Sequence, residues 1–124
     1  MTLADAIRKG AMQRPWAQRA WFTTASAEIR SCALGAAFEG TFGTPNFQEW
    51  DALAMSEEMA LCELMGVYPE LRRAATCPKC SELSLTLETV VWHLNDLHGW
   101  TREAIADWLD GVDGESLGAE RRTP

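Results

Sequence analysis

Nowhere in the 124 residues is there a run approaching the roughly 18 consecutive apolar residues of a membrane-spanning helix. The opening MTLADAIRKG also lacks the apolar stretch of a secretory leader, so a cytoplasmic chain with no membrane partner is expected. Basic residues are scarce toward the end. From Cys77 onward there are four, Lys79, Arg102, Arg121 and Arg122, against nine acidic ones, while residues 1–76 hold seven basic and nine acidic side chains. The formal net charge of −7 repels nucleic acid in bulk, unless Arg8, Lys9, Arg14, Arg19, Arg72 and Arg73 gather into one patch. Histidine is rarer still, with only His93 and His98. No set of nucleophile, base and orienting residue can be found, so no catalytic residues are expected and the chain does not read as an enzyme.

Hydrophobic residues make up 47% of the chain, enough for one compact domain or for a small domain with an appended module. The last third is too short to be stable alone without a staple. The expected class is α+β: a helix-rich part with a β-hairpin over residues 1–76, a metal-stapled knuckle and helices over 77–110, and a flexible tail over 111–124. Four cysteines in a cytoplasmic chain are free thiols or metal ligands rather than disulfides. Cys32 and Cys62 lie in the apolar runs CALGAAF and MALCELM, and are expected to be small buried hydrophobes.

Leu3, Ala4, Ile7 and Ala11 recur at helical spacing, which predicts an opening helix ending between Gly10 and Pro15. RAWFTT at 19–24 and EIRSCAL from Glu28 read as two strands around a turn. CALGAAFEG at 32–40 is ambiguous, because small residues allow close helix packing while Gly35 and Gly40 weaken a helix. Thr44-Pro45 predicts a helix start, with Phe47, Trp50, Leu53 and Ala54 on one stripe. Ser56 caps a further helix that begins with Glu57 and Glu58 and stops at Gly66, and Met55, Met59 and Met65 are expected to fill core.

The residues with the clearest chemistry are Cys77, Cys80, His93 and His98. Two residues separate the cysteines, twelve lie between Cys80 and His93, and four separate the histidines. That is the C-x2-C, x12, H-x4-H spacing of a site for one structural Zn2+ ion. A tight knuckle around Pro78 and Lys79 aims two thiolates at the ion, and a helix supplies two imidazoles. The alternative reading of TCPKC as a redox motif has no βαβ pattern around it. Thr86 is the expected N-cap, with Leu87, Val90, Val91, Leu94 and Leu97 forming apolar faces up to Gly99. Five residues apart on an ideal α-helix, two side chains diverge by about 140°, so the last turn at Asp96–Gly99 must tighten or unwind. Gly99 suits a left-handed cap there. After it, Thr101 caps a helix with Ile105, Trp108 and Leu109 facing inward.

Residues 77–98 resemble the C2H2 zinc-finger family, which implies a ββα fold with its helix in the DNA major groove. The ligand spacing matches, but the aromatic core position of the family is Ser84 here and its leucine before the first histidine is Val90. The base-reading positions become Thr86, Thr89 and Trp92, none of them a side chain that reads guanine or adenine edges bidentately, and Glu88 and Asp96 oppose a polyanion. Sequence-specific DNA readout by this helix is therefore not expected. TREAIADWL is similar to the supporting helix of helix-turn-helix domains, with no recognition helix after it. More widely, ADAIRKG, SCALGAAFEG, CPKC and WHLNDLHGWTREAIADWL together resemble small uncharacterised phage and prophage proteins. That resemblance implies no established activity; it suggests a bacterial or phage cytoplasmic setting, where small acidic proteins often bind host machinery, and a factor that binds or inhibits such machinery is expected. A protein partner is the expected class, met by Trp92, Trp100, Trp108 and Asp96, with a zinc-finger-like nucleic-acid-binding regulator as the alternative.

Overall fold

The structure, a computed structural model, describes residues 1–23, 28–47, 57–81 and 85–122, with backbone alone for Leu85 and for residues 113–122. Among these the fold is α+β. Its elements in chain order are α1 (Leu3–Ala11), β1 (Phe22–Thr23), β2 (Arg30–Ser31), α2 (Ala33–Phe42), α3 (Glu57–Val67), a 3-10 turn (Pro69–Arg72), β3 (Ala74–Ala75), β4 (Leu85–Thr86), α4 (Leu87–Asp96) and α5 (Arg102–Arg122).

α1 follows its predicted stripe and is held at its start by a capping box. The Asp5 N–H donates to Thr2 Oγ1 at 3.0 Å, and the Thr2 N–H donates back to Asp5 Oδ2 at 3.4 Å. Its buried face, Leu3, Ala4, Ala6, Ile7 and Gly10, lies on α2. The ambiguous CALGAAFEG segment resolves as α2, in which every residue from Ala33 to Gly40 is buried. Helix propensity argues against Gly10 and Gly40, but the packing requires them. A Cβ on Gly10 would collide with the Ala36 carbonyl, and one on Gly40 with the Ala6 carbonyl. Only hydrogen-sized side chains let the two backbones approach this closely.

The hairpin is present but shorter than its two predicted strands. β1 and β2 pair antiparallel in the register Phe22↔Ser31 and Thr23↔Arg30. The expected second strand stops at Ser31, because Cys32 turns the chain into α2: its Sγ accepts the Gly35 N–H at 3.4 Å as an N-cap. α3 runs through Gly66 to Val67, so that glycine does not end the helix. Met59 is 52% exposed and Met65 is half-buried against the core, which corrects the expected core role for Met59. Cys62 is exposed rather than buried. The run MALCELM places it on the solvent side of α3, whose buried positions are Ala60 and Leu64. Trp50, Leu53, Ala54, Met55 and Ser56 lie outside the described residues.

One apolar cluster runs from Leu3 and Ile7 through Leu34, Leu64 and Leu71 to Val90, Leu94, Ile105 and Leu109. It crosses the boundary expected at residue 76. Two polar groups lock the layers inside it. Glu39 is buried and receives Arg14 Nη2 at 3.1 Å and the Thr44 hydroxyl at 2.9 Å, while the guanidinium lies 5.2 Å from the centre of the Phe47 ring. Asn95 is also buried. Its Oδ1 accepts Trp16 Nε1–H at 3.0 Å and the Ala33 N–H at 3.1 Å, and its Nδ2 donates to the Ala17 carbonyl at 2.9 Å and Asp96 Oδ1 at 2.8 Å. All four of its hydrogen-bonding positions are filled, so α4 is tied to the start of α2 and to the segment before the hairpin. The backbone of α5 stays helical to Arg122, across the stretch expected to be a tail from Gly111. No described helix is long and apolar enough to cross a membrane.

Candidate metal centre

The short ladder β3–β4 brings the two halves of the cluster together. Ala74 pairs with Thr86 and Ala75 with Leu85, and the Leu87 N–H donates to the Arg73 carbonyl at 2.8 Å. Cys77, two residues beyond β3, thereby lies beside the start of α4. The knuckle closes through the Ser81 N–H donating to the Cys77 carbonyl at 2.9 Å, with Ser81 itself at φ 60. A strand is thus present at Leu85–Thr86, and its partner precedes the cysteines.

Thr86 caps α4 as predicted, accepting the Thr89 N–H at 3.2 Å. Leu87, Val90, Val91 and Leu94 form the buried face, and Val90 has no exposure. Leu97 is 64% exposed and does not belong to that face. The reason is the helix end. α4 stops at Asp96, and the Leu97 and His98 N–H groups both donate to the His93 carbonyl, at 2.9 and 3.2 Å. Trp100 N–H reaches back to the Leu94 carbonyl at 2.9 Å, and Gly99 takes φ +65. A bond from residue 98 to residue 93 spans five residues, so the final turn is widened rather than tightened. The extra residue per turn rotates His98 back over His93, leaving the rings 4.6 Å apart at 81°.

The result is a four-donor cluster. One ligand atom from each of Cys77, Cys80, His93 and His98 lies within 4.8 Å of every other. Cys80 Sγ and His93 Nε2 are 3.3 Å apart, near the roughly 3.5 Å expected for two donors around a tetrahedral zinc. Cys77 is fully buried, the two imidazoles are half-buried and Cys80 is at the surface. His98 Nε2 is buried with no hydrogen-bond partner, the one such side-chain atom among the described residues. An orphaned buried nitrogen on a ring of such a cluster is costly unless something coordinates it. The cluster can hold a metal ion. Cys32, in contrast, takes no part: burial pushes its thiol up to about 12 and keeps it protonated.

The expected partner-contact residues separate into two groups. Trp92, 37% exposed, and Asp96 line one cleft with Trp21, Glu57 and Glu88. Trp100 and Trp108 are half-buried against the core and do not line it. Three of the basic residues lie among carboxylates. Arg8 binds Glu103, Asp107 and Asp110 at 2.7–3.1 Å, Arg14 is committed to Glu39, and Arg19 lies on the acidic cleft. Asn95 is not distinguishable in the sequence, because its role is contact with segments far along the chain. Comparison with protein-family models, with curated proteins and with solved structures finds no match for this chain.

Proposed function

We propose that the chain is a small cytoplasmic zinc protein in which the metal is a structural staple and the activity is protein binding. The observation that carries the zinc reading is the buried, unpartnered Nε2 of His98, whose ring belongs to the thiol-imidazole cluster. Two thiolates and two imidazoles form a donor set suited to zinc, and four protein ligands complete a tetrahedron with no position left for substrate. His93, His98, Cys77 and Cys80 would hold the ion, which ties the knuckle to the end of α4. The chain's own residues do the remaining work. The Thr86 cap and Asn95 fix α4, and the widened turn presents His98. Protein binding is supported by the Trp92 and Asp96 surface beside the cluster and by the pairing of Arg8 and Arg14, two of the cations a nucleic-acid contact would need, with carboxylates. The resemblance to phage and prophage proteins makes host machinery the partner to test.

Elemental analysis of the purified full chain tests the metal. One zinc per chain is expected, with cobalt substitution giving the intense visible bands of a tetrahedral sulfur-nitrogen site. Cys80→Ser and His98→Ala should lose both while retaining helical signal. Absence of stoichiometric zinc in the parent chain would sink the metal reading, and failure of a bacterial-lysate pull-down to retain any specific protein would count against the binding role.

A further inference from the structure

The first turn of α3, the face of α4 that carries Glu88 and Trp92, and residues 19–21 enclose a cleft of about 340 Å3. This is at the small end of ligand pockets and suits one long side chain. Trp21, Cys32 and Leu61 make its lining apolar, and Trp92 stands partly exposed at its edge. Around these lie the carboxylates of Glu57, Glu58, Glu88 and Asp96, against the single guanidinium of Arg19. None of the four is in an ion pair among the described residues. Three of them accept hydrogen bonds: Glu57 Oε2 from the Trp21 N–H at 2.9 Å, Asp96 Oδ1 from buried Asn95, and Glu88 Oε2 from the Thr89 hydroxyl at 3.2 Å. Their field reaches the cleft lining, where Asp96 and Glu57 add to burial in pushing the Cys32 thiol up.

Charge complementarity sets the occupant. Like charges in a concave, partly apolar site concentrate a negative potential, and prepositioned acceptors lose little entropy when a cation arrives. Among the described residues only the Cys77, Cys80, His93 and His98 group converges tightly enough to hold a metal, which leaves an organic cation as the complement of the carboxylates. A guanidinium is planar, weakly hydrated and able both to stack on tryptophan and to bridge carboxylates, which an ammonium does less well. We infer that this cleft is the docking site for an arginine side chain presented by a partner protein. The inference rests on the protein-binding reading above and names the chemistry of its partner.

The test titrates the zinc-replete full chain with a capped tetra-arginine peptide, with tetra-lysine and tetra-glutamate peptides beside it, following the assigned tryptophan indole N–H signals by NMR. Tetra-arginine should shift Trp21 and Trp92 selectively, bind more tightly than tetra-lysine, and weaken as salt is raised. Glu58→Gln with Glu88→Gln should weaken it at least tenfold, while the charge-matched pair Glu28→Gln with Glu63→Gln, away from the cleft, should change it less than twofold. Dispersed spectra and unchanged zinc content show that each variant is folded. Unmoved Trp21 and Trp92 signals, or equal weakening by both pairs, would overturn the assignment. A chain that lacks zinc but still binds tetra-arginine at Trp92 would refute the metal reading and leave this one standing.

Discussion

Replacing Gly99 by alanine tests whether the widened turn delivers His98 to the metal. Gly99 has φ +65, and no atom lies within 4 Å of the position its Cβ would take. The substitution therefore introduces no clash, and its whole cost is conformational. An L-residue in the left-handed region costs about 1–2 kcal/mol, and asparagine costs less because its short polar side chain tolerates that region. The His98 N–H to His93 carbonyl bond and the Trp100 N–H to Leu94 carbonyl bond both depend on this backbone path. If coordination needs the turn, the cost appears in metal affinity, where 1–2 kcal/mol corresponds to a weakening of about 5- to 30-fold. Competition against a chromophoric zinc chelator measures it directly. Gly99→Asn should recover most of the loss. An alanine variant with parental zinc affinity, or an asparagine variant as weak as alanine, would refute the argument that this turn positions the ligand.

Other expectations follow from the packing and the cysteines. Gly40→Ala should destabilise the chain by about 1–3 kcal/mol in urea, since the clash with the Ala6 carbonyl outweighs the helix propensity of alanine, whereas Gly66→Ala meets open space and should stabilise by up to about 1 kcal/mol. A neutral Gly40→Ala would show that α1 and α2 are not in close contact. Asn95→Ala strands the Trp16 indole N–H, the Ala33 N–H and the Ala17 carbonyl, and should cost about 3 kcal/mol or more in chemical denaturation. For Cys32, the folded chain keeps a proton that the unfolded chain releases between about pH 9 and about 12, so its contribution is full below that window and is lost as pH rises through it. Stability against pH should flatten there in Cys32→Ala, and in the native parent at pH 8 iodoacetamide should label Cys62 but not Cys32, as read by mass spectrometry.

What the sequence discloses about this protein is what depends on near neighbours. Thr86 and Thr101 cap their helices because a hydroxyl needs only an N–H three residues on, and the opening stripe of Leu3, Ala4 and Ile7 needs only helical periodicity. The four metal-site residues are legible for a related reason: the cluster is held by two short motifs whose spacings match a tetrahedral donor set. Cys62, Met59 and Leu97 misled because an apolar or small residue inside an apolar run says nothing of which side of the helix meets the core. The glycines of α1 and α2 left CALGAAFEG ambiguous for a related reason. Their local cost is visible in the sequence, but the contact that repays it comes from another helix.

The metal centre combines both kinds of information. Its donors could be named from spacing, yet the same spacing places His93 and His98 on diverging faces of a regular helix, and a strictly helical chain would leave His98 pointing away. The resolution is a backbone feature: one carbonyl, that of His93, accepts from both Leu97 and His98, and the chain leaves the helix through Gly99 in a conformation glycine adopts without strain. That turn lies two residues before the Thr101 cap of α5, whose first residue, Arg102, donates to the Ser31 hydroxyl at 3.0 Å and the Arg14 carbonyl at 2.7 Å. The path that presents His98 is thereby fixed at both ends, by Asn95 before it and Arg102 after it. Metal coordination at His98 would consequently be coupled to the packing of α4 and α5 on the N-terminal helices, and loss of either anchor should be felt at the site.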